Sequence, residues 1–187
     1  MKKKYWYILA PFAIGILVFL DQITKYLARR DLIDGDFVLI DGVFKLHLLE
    51  NKGAVWGMFQ NSVDFLSIVS IIMTVLIVIL FIKIPEGKKY VILRILCISV
   101  CAGAIGNLID RIAMGGVTDF LYIELINFPI FNVADCYITF AMVILLILVI
   151  FYYKEDDFDF LAIRKKKKET AEAEPVETEV QDEQTDR

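Results

Sequence analysis

Four stretches of this 187-residue chain are apolar over lengths that match a lipid bilayer, and this limits the fold before anything else does. A helix needs ~20 residues to cross the hydrocarbon core. The candidates run from about Trp6 to Leu27, from about Phe65 to Ile82, from about Tyr90 to Ile109 and from about Ala134 to Tyr153. Overall the chain is 58% hydrophobic, against ~45–50% for an ordinary soluble domain. The expectation is an all-α membrane protein with four transmembrane helices in one domain, residues 1–153. Lys2, Lys3 and Lys4 ahead of the apolar run Tyr5 to Leu20 resemble the start of a removable signal. No small-x-small cleavage site follows, so the first span reads as retained.

Basic residues set the orientation. Lys2 to Lys4, then Lys83, Lys88, Lys89 and Arg94, then Arg164 to Lys168 fall on one side if the spans number four. The positive-inside rule makes that side cytoplasmic, with both termini there. Arg29 and Arg30 run against this bias. The two longer loops, Ala28 to Asp64 and Asp110 to Val133, then lie outside. In the first of them, Phe37 to Ile40 and Val43 to Leu49 flank Asp41-Gly42. A two-residue Asp-Gly turn between apolar runs signals a hairpin, so a small extracytoplasmic β-sheet is expected at about 35–50. Gly53 to Phe59 reads as a short surface helix.

The formal net charge of -4 is misleading. From Lys154 onward there are twelve acids and seven bases, leaving twelve acids and thirteen bases in the body. Residues 154–187 form a charged cytoplasmic tail, expected to be disordered from about 169 because that composition cannot bury a core. The acidity therefore says nothing about a basic ligand, and no nucleic-acid partner is expected.

Ionisable residues are rare in membrane helices and therefore informative. Asp21 lies at the outer end of span one, Asn107, Asp110 and Arg111 at that of span three, and Asn132 and Asp135 at the start of span four. Asp119 lies in the loop between the last two. A purely structural account is available: Asn132 caps span four, and Asp135 occupies the third helical position. So many acids and asparagines at one boundary go beyond what capping requires. Asp110 adjoins Arg111, which suits an ion pair. Asp119 and Asp135 have no neighbouring base. Brought together near lipid they would share one proton, the state in which one carboxylate activates water and the other polarises a carbonyl. Asp110 with Asp135 is the second choice.

Other chemistries fare worse. His47 is the single histidine, so neither a zinc motif nor a convincing Ser-His-Asp triad can be assembled. Cys97, Cys101 and Cys136 read as small buried hydrophobes. No phosphate-binding loop is present.

Five motifs occur in order. They are Asp21-Gln22-x-Thr24-Lys25, Asn51-x-Gly53-Ala54, Gly103-Ala104-x-Gly106-Asn107-x-x-Asp110-Arg111, Val117-Thr118-Asp119-Phe120 and Phe128-Pro129-x-Phe131-Asn132-x-Ala134-Asp135. Together they resemble the bacterial lipoprotein signal peptidases, or signal peptidase II, over roughly Trp6 to Tyr153. Trp56, where Phe is commoner, and Cys136, where Ser is common, depart from the pattern. The resemblance implies an aspartyl endopeptidase of the bacterial cytoplasmic membrane, with its active site at the outer face. It implies that the enzyme cuts diacylglyceryl-modified prolipoproteins just before the lipidated cysteine. It maps the catalytic dyad to Asp119 and Asp135. It assigns Asp21, Asn51, Gly53, Asn107, Asp110, Arg111 and Asn132 to substrate positioning or support of the dyad. It implies no metal or organic cofactor, and membrane lipid and the prolipoprotein as partners of a monomer.

Two readings from other classes compete. A small ion-coupled transporter would place acids near the bilayer middle on a broken helix. A non-catalytic adaptor would tolerate Asp119→Asn and Asp135→Asn.

Overall fold

A computed structural model describes residues 3–53 and 63–161. The expected surface helix beyond Gly53, with Trp56, and the tail beyond Leu161 lie outside the described residues. Four long helices form: α1 (Lys3–Asp31), α2 (Val63–Lys83), α3 (Val91–Met114) and α4 (Val133–Phe151). Each is long and apolar enough to span a membrane. The helices outrun the apolar runs that announced them. α1 continues to Asp31, and α3 carries Asp110 and Arg111 as helical residues before Gly115 stops it in a left-handed conformation (φ 71°). Arg111 O accepts the Gly115 N–H at 3.0 Å, the usual glycine stop.

α3 is the centre of the bundle: 56% of its apolar window is buried, against 6–11% in the other three helices. Small residues make that possible. A Cβ at Gly103 would stand 2.5 Å from the Ala134 carbonyl oxygen, and one at Gly106 would stand 2.5 Å from Asp21 Oδ2. These two glycines let α4 and α1 come against the α3 backbone. The remaining helix faces present Ile, Leu, Val and Phe outward, as a lipid environment requires.

The small sheet has three strands in the order β1 (Phe37–Ile40), β2 (Phe44–Asn51), β3 (Val117–Ile123), all antiparallel. The hairpin forms where expected, but with Ile40 paired to Phe44 its loop holds three residues, with Gly42 at φ 67°. β3 is a correction. The segment with Asp119 is a strand and not a connecting loop, because its β-branched and aromatic residues complete the sheet edge left by β2. Leu49 pairs with Asp119 and Asn51 with Val117. On its other side the Phe120 and Leu121 N–H groups donate to Phe131 O at 3.0 and 2.8 Å.

At the opposite end of the bundle, Arg94 is buried and not a loop charge. Its guanidinium donates to Ile84 O at 2.7 Å and Phe81 O at 3.4 Å, capping the end of α2. A 3-10 segment, Glu155–Leu161, turns back after α4 and packs Phe158 and Phe160 around Tyr90 and Tyr153.

The sheet end holds a fully buried ion cluster. Lys25 Nζ lies 3.0 Å from Asp21 Oδ2 and 3.4 Å from Asp110 Oδ2, with all three side chains inaccessible to solvent. The ammonium also donates to Asn107 Oδ1 at 2.9 Å. Asp21 Oδ1 accepts the Ala134 N–H at 2.9 Å, which ties α1 to the start of α4. Asp110 Oδ2 accepts the Thr118 N–H at 2.9 Å, which ties α3 to β3. Removing one partner of such a cluster leaves uncompensated buried charge and costs on the order of 3–5 kcal/mol. Lys25→Met should therefore lower the unfolding temperature in detergent sharply. The triple variant Asp21→Asn, Lys25→Met, Asp110→Asn should recover part of the loss. A single variant as stable as the wild type would show that the ammonium is not what balances these acids.

Candidate active site

Two carboxylates meet above this cluster from separate elements. Asn132 is the N-cap of α4, and a capping box forms: Asn132 Oδ1 accepts the Asp135 N–H at 3.0 Å, and Asp135 Oδ2 accepts the Asn132 N–H at 3.1 Å. The structural role foreseen for this pair therefore exists. It does not exhaust the two residues. Asn132 Nδ2 donates to Asp119 Oδ1 at 2.7 Å, so one asparagine contacts both acids. Asp119 Oδ2 accepts from Asn51 Nδ2 at 2.9 Å, and Asp135 Oδ1 accepts from Asn107 Nδ2 at 2.8 Å.

The orientation of all three amides is fixed chemically. The Oδ1 of Asn51 accepts the Gly53 N–H at 3.0 Å, that of Asn132 accepts the Asp135 N–H, and that of Asn107 accepts the Lys25 ammonium. These donors cannot act as acceptors, so each Nδ2 must point the other way. In every case that direction is a carboxylate of the pair.

Asp119 is 2% exposed, and Asp135 is only half-buried. Burial pushes the Asp119 carboxyl up to about 6; the Asn51 and Asn132 amides pull it down, while the charge of Asp135 pushes it further up. A carboxyl in that range exchanges a proton readily near neutral pH. Two carboxyls hydrogen-bonded to one asparagine can hold a single proton between them, and then offer a base and an acid to a molecule placed against both.

The other candidate residues divide by position. Asn51, Asn107 and Asn132 contact the pair directly, and Gly53 orients Asn51. Asp21 and Asp110 lie in the buried ion cluster, one layer away. Asp110 does not pair with Arg111 as its sequence neighbour suggested, since adjacent helical residues point to different faces. Instead Arg111 Nη1 reaches across to Ser70 Oγ of α2 at 3.3 Å. Because Asp110 is fully buried against Lys25, the alternative pair Asp110 with Asp135 loses its support.

Sequence reasoning passed over Lys25, Gln22 and Thr118 as site residues. Gln22 Nε2 bridges Asp21 Oδ2, Gly106 O and Asp110 Oδ1, each at 3.1 Å. The four-residue spacing of Asp21 and Lys25 was the available signal. Among the described residues, no three His, Cys, Asp or Glu side chains converge to hold a metal ion.

The chain is similar to known proteins in sequence and in fold. The profile of the Signal peptidase (SPase) II family matches residues 13–151. A lipoprotein signal peptidase of Caldanaerobacter subterraneus subsp. tengcongensis is 39% identical over 134 residues, which is 71% of this chain and 89% of that protein. A lipoprotein signal peptidase of Brevibacillus brevis is 40% identical over 141 residues, 75% of this chain and 91% of its own. A solved bacterial membrane enzyme superposes with a TM-score of 0.67 at 28% identity, covering 85% of this chain and 94% of that one. The four spans, the small sheet and the five ordered motifs thus have one common explanation: the chain belongs to the signal peptidase II family.

Proposed function

We propose that this chain is an aspartic-type endopeptidase that removes the signal peptide from diacylglyceryl-modified prolipoproteins, cutting just before the lipidated cysteine. The observation that carries the reading is that Asp119 and Asp135, from β3 and α4, are both hydrogen-bonded to Asn132. The family and its named relatives support the substrate class. The sheet end is then the outer face, both termini are cytoplasmic, and one copy of the chain suffices, since both acids come from it.

The chemistry follows from one proton shared by two carboxyls. The ionised one takes a proton from water as the oxygen attacks the scissile carbonyl. The protonated one hydrogen-bonds the carbonyl oxygen and stabilises the charge that develops there. The tetrahedral intermediate collapses as the C–N bond breaks and a proton passes to the departing amine of the cysteine. Asn51, Asn107 and Asn132 keep the two carboxyls in place throughout. A substrate whose acyl chains stay in lipid while its peptide bond reaches water needs a site at the membrane boundary. This pair lies at the helix ends and not at mid-span, which also removes the argument for an ion-coupled transporter.

Asp119→Asn and Asp135→Asn should each lower turnover of a diacylated prolipoprotein by ~10²–10⁴-fold with the membrane protein still folded. Full activity in either variant would refute the dyad. The pH dependence offers a second check. The Asn51 amide favours the ionised form of Asp119, so Asn51→Leu removes that support and raises the Asp119 pKa further. The limb of the kcat/KM profile governed by Asp119 should then move to higher pH. A limb that stays in place or moves down would count against Asp119.

A further inference from the structure

On the face of β3 opposite Asp119 lies a cleft of about 430 Å3 that the proposed peptidase chemistry does not use. Thr24, Leu27 and Ala28 of α1 and Leu32 just beyond it form one wall, and Phe37, Leu46 and Phe120 of the three strands form the other. Phe120 follows Asp119 in a strand, so its side chain points to the other side of the sheet. There it packs with Ala28 and Leu32. The volume lies within the range of small-molecule sites. Leu27 on its wall, and Ile23 and Tyr26 beside it on α1, are exposed apolar side chains, so the cleft adjoins a surface that suits lipid.

The rim adds charge. Arg29 and Arg30 stand at this end of α1, against the bias that puts the other basic clusters at the far end of the bundle. Asp31, on the rim, pairs with Arg30 at 2.6 and 2.8 Å, and that pair is electrically neutral. Arg29 donates to Thr118 Oγ1 at 2.7 Å and forms no ion pair among the described residues. Thr118 lies two residues before Phe120 in β3, on the same face of the strand, so Arg29 brings to the cleft side of the sheet one positive charge with no ion-pair partner among the described residues. A guanidinium with unused donors matches a phosphate.

We propose that this cleft binds one acyl chain of a phosphate-headed membrane lipid, with Arg29 at the headgroup. The occupant is not the substrate's own lipid, because a diacylglyceryl thioether carries no phosphate and the cleft lies behind the catalytic strand. Through Thr118 and Phe120, which flank Asp119, the bound lipid braces β3.

The test is native mass spectrometry of the full-length protein in mild detergent, titrated with phosphatidylglycerol or with dioleoylglycerol, which lacks phosphate. The wild type should retain one phosphatidylglycerol in preference to dioleoylglycerol. Ala28→Phe fills the cleft and should weaken retention more than about tenfold, since even two displaced methylenes cost that much. Arg29→Gln should weaken phosphatidylglycerol about fivefold and leave dioleoylglycerol unchanged. If Ala28→Phe does not fold, Leu27→Trp, at a half-exposed rim position, obstructs the mouth instead and should lower retention in the same way. Retention unaltered by the cleft-filling variant, or equal binding of the two lipids in wild type and Arg29→Gln, would overturn the proposal. The readout is binding and not cleavage, so failure here leaves the peptidase reading untouched.

Discussion

The arrangement depends on one buried cation. Asp21, Asp110, Asp119 and Asp135 converge where solvent is scarce and every charge is costly. Lys25 touches the first two directly and reaches the pair through Asn107. The same contacts are the mechanical joints of the molecule, since Asp21 holds the first turn of α4 and Asp110 holds the first residues of β3. Charge balance and the placement of the two site-bearing elements are thus one problem with one solution. This also explains why glycine stands at 106: the close approach of Asp21 leaves no room for a Cβ.

Above that base, asparagine does what neither a charged nor an apolar side chain can. A basic residue beside Asp119 or Asp135 would fix both as anions. An apolar one would leave their lone pairs unsatisfied. An amide donates one neutral hydrogen bond and lets the carboxyl keep its affinity for a proton. Three amides in a row would be ambiguous if each were free to flip, but each oxygen is claimed by a donor that cannot act as an acceptor. The result is a pair of carboxyls held in place by neutral donors on each side.

Much of this was legible in the sequence. Hydropathy alone located four spans, and the sequence put Asn132 at the cap of span four and Asp135 at its third helical position, which the structure joins in a capping box. What was not legible was long-range. Nothing in Val117–Ile123 reveals that its partner strand lies about seventy residues earlier, so the segment read as a loop. Arg94 entered the sequence reading only as one of the basic residues at the cytoplasmic end of span three, because a linear reading does not show that a long side chain can turn back onto the carbonyls of α2. Lys25 was noted only as part of the first motif and given no role, although its spacing from Asp21 pointed to a shared helix face. Asp110 was assigned to its sequence neighbour, where helix geometry sends the two side chains apart. The misses share a cause: hydropathy ranks residues by cost of burial, and these residues lower that cost through partners far away in the chain.

The capping role of Asp135 does not compete with its proposed catalytic one; the geometry makes the two compatible. The helix N-terminus supplies a backbone N–H to Oδ2, and Asn107 supplies an amide to Oδ1. Each oxygen keeps a second lone pair, and the side chain is only half-buried where Asp21 and Asp110 are sealed. Capping therefore fixes the carboxyl's position without consuming its capacity to accept. Asp119 reaches the same condition from a strand, held by two side-chain amides in place of a helix end. What separates the two proposed working acids from the two structural ones is the donor set. Ammonium contact locks Asp21 and Asp110 into the scaffold, whereas neutral N–H donors alone leave Asp119 and Asp135 free to exchange a proton with what is placed between them.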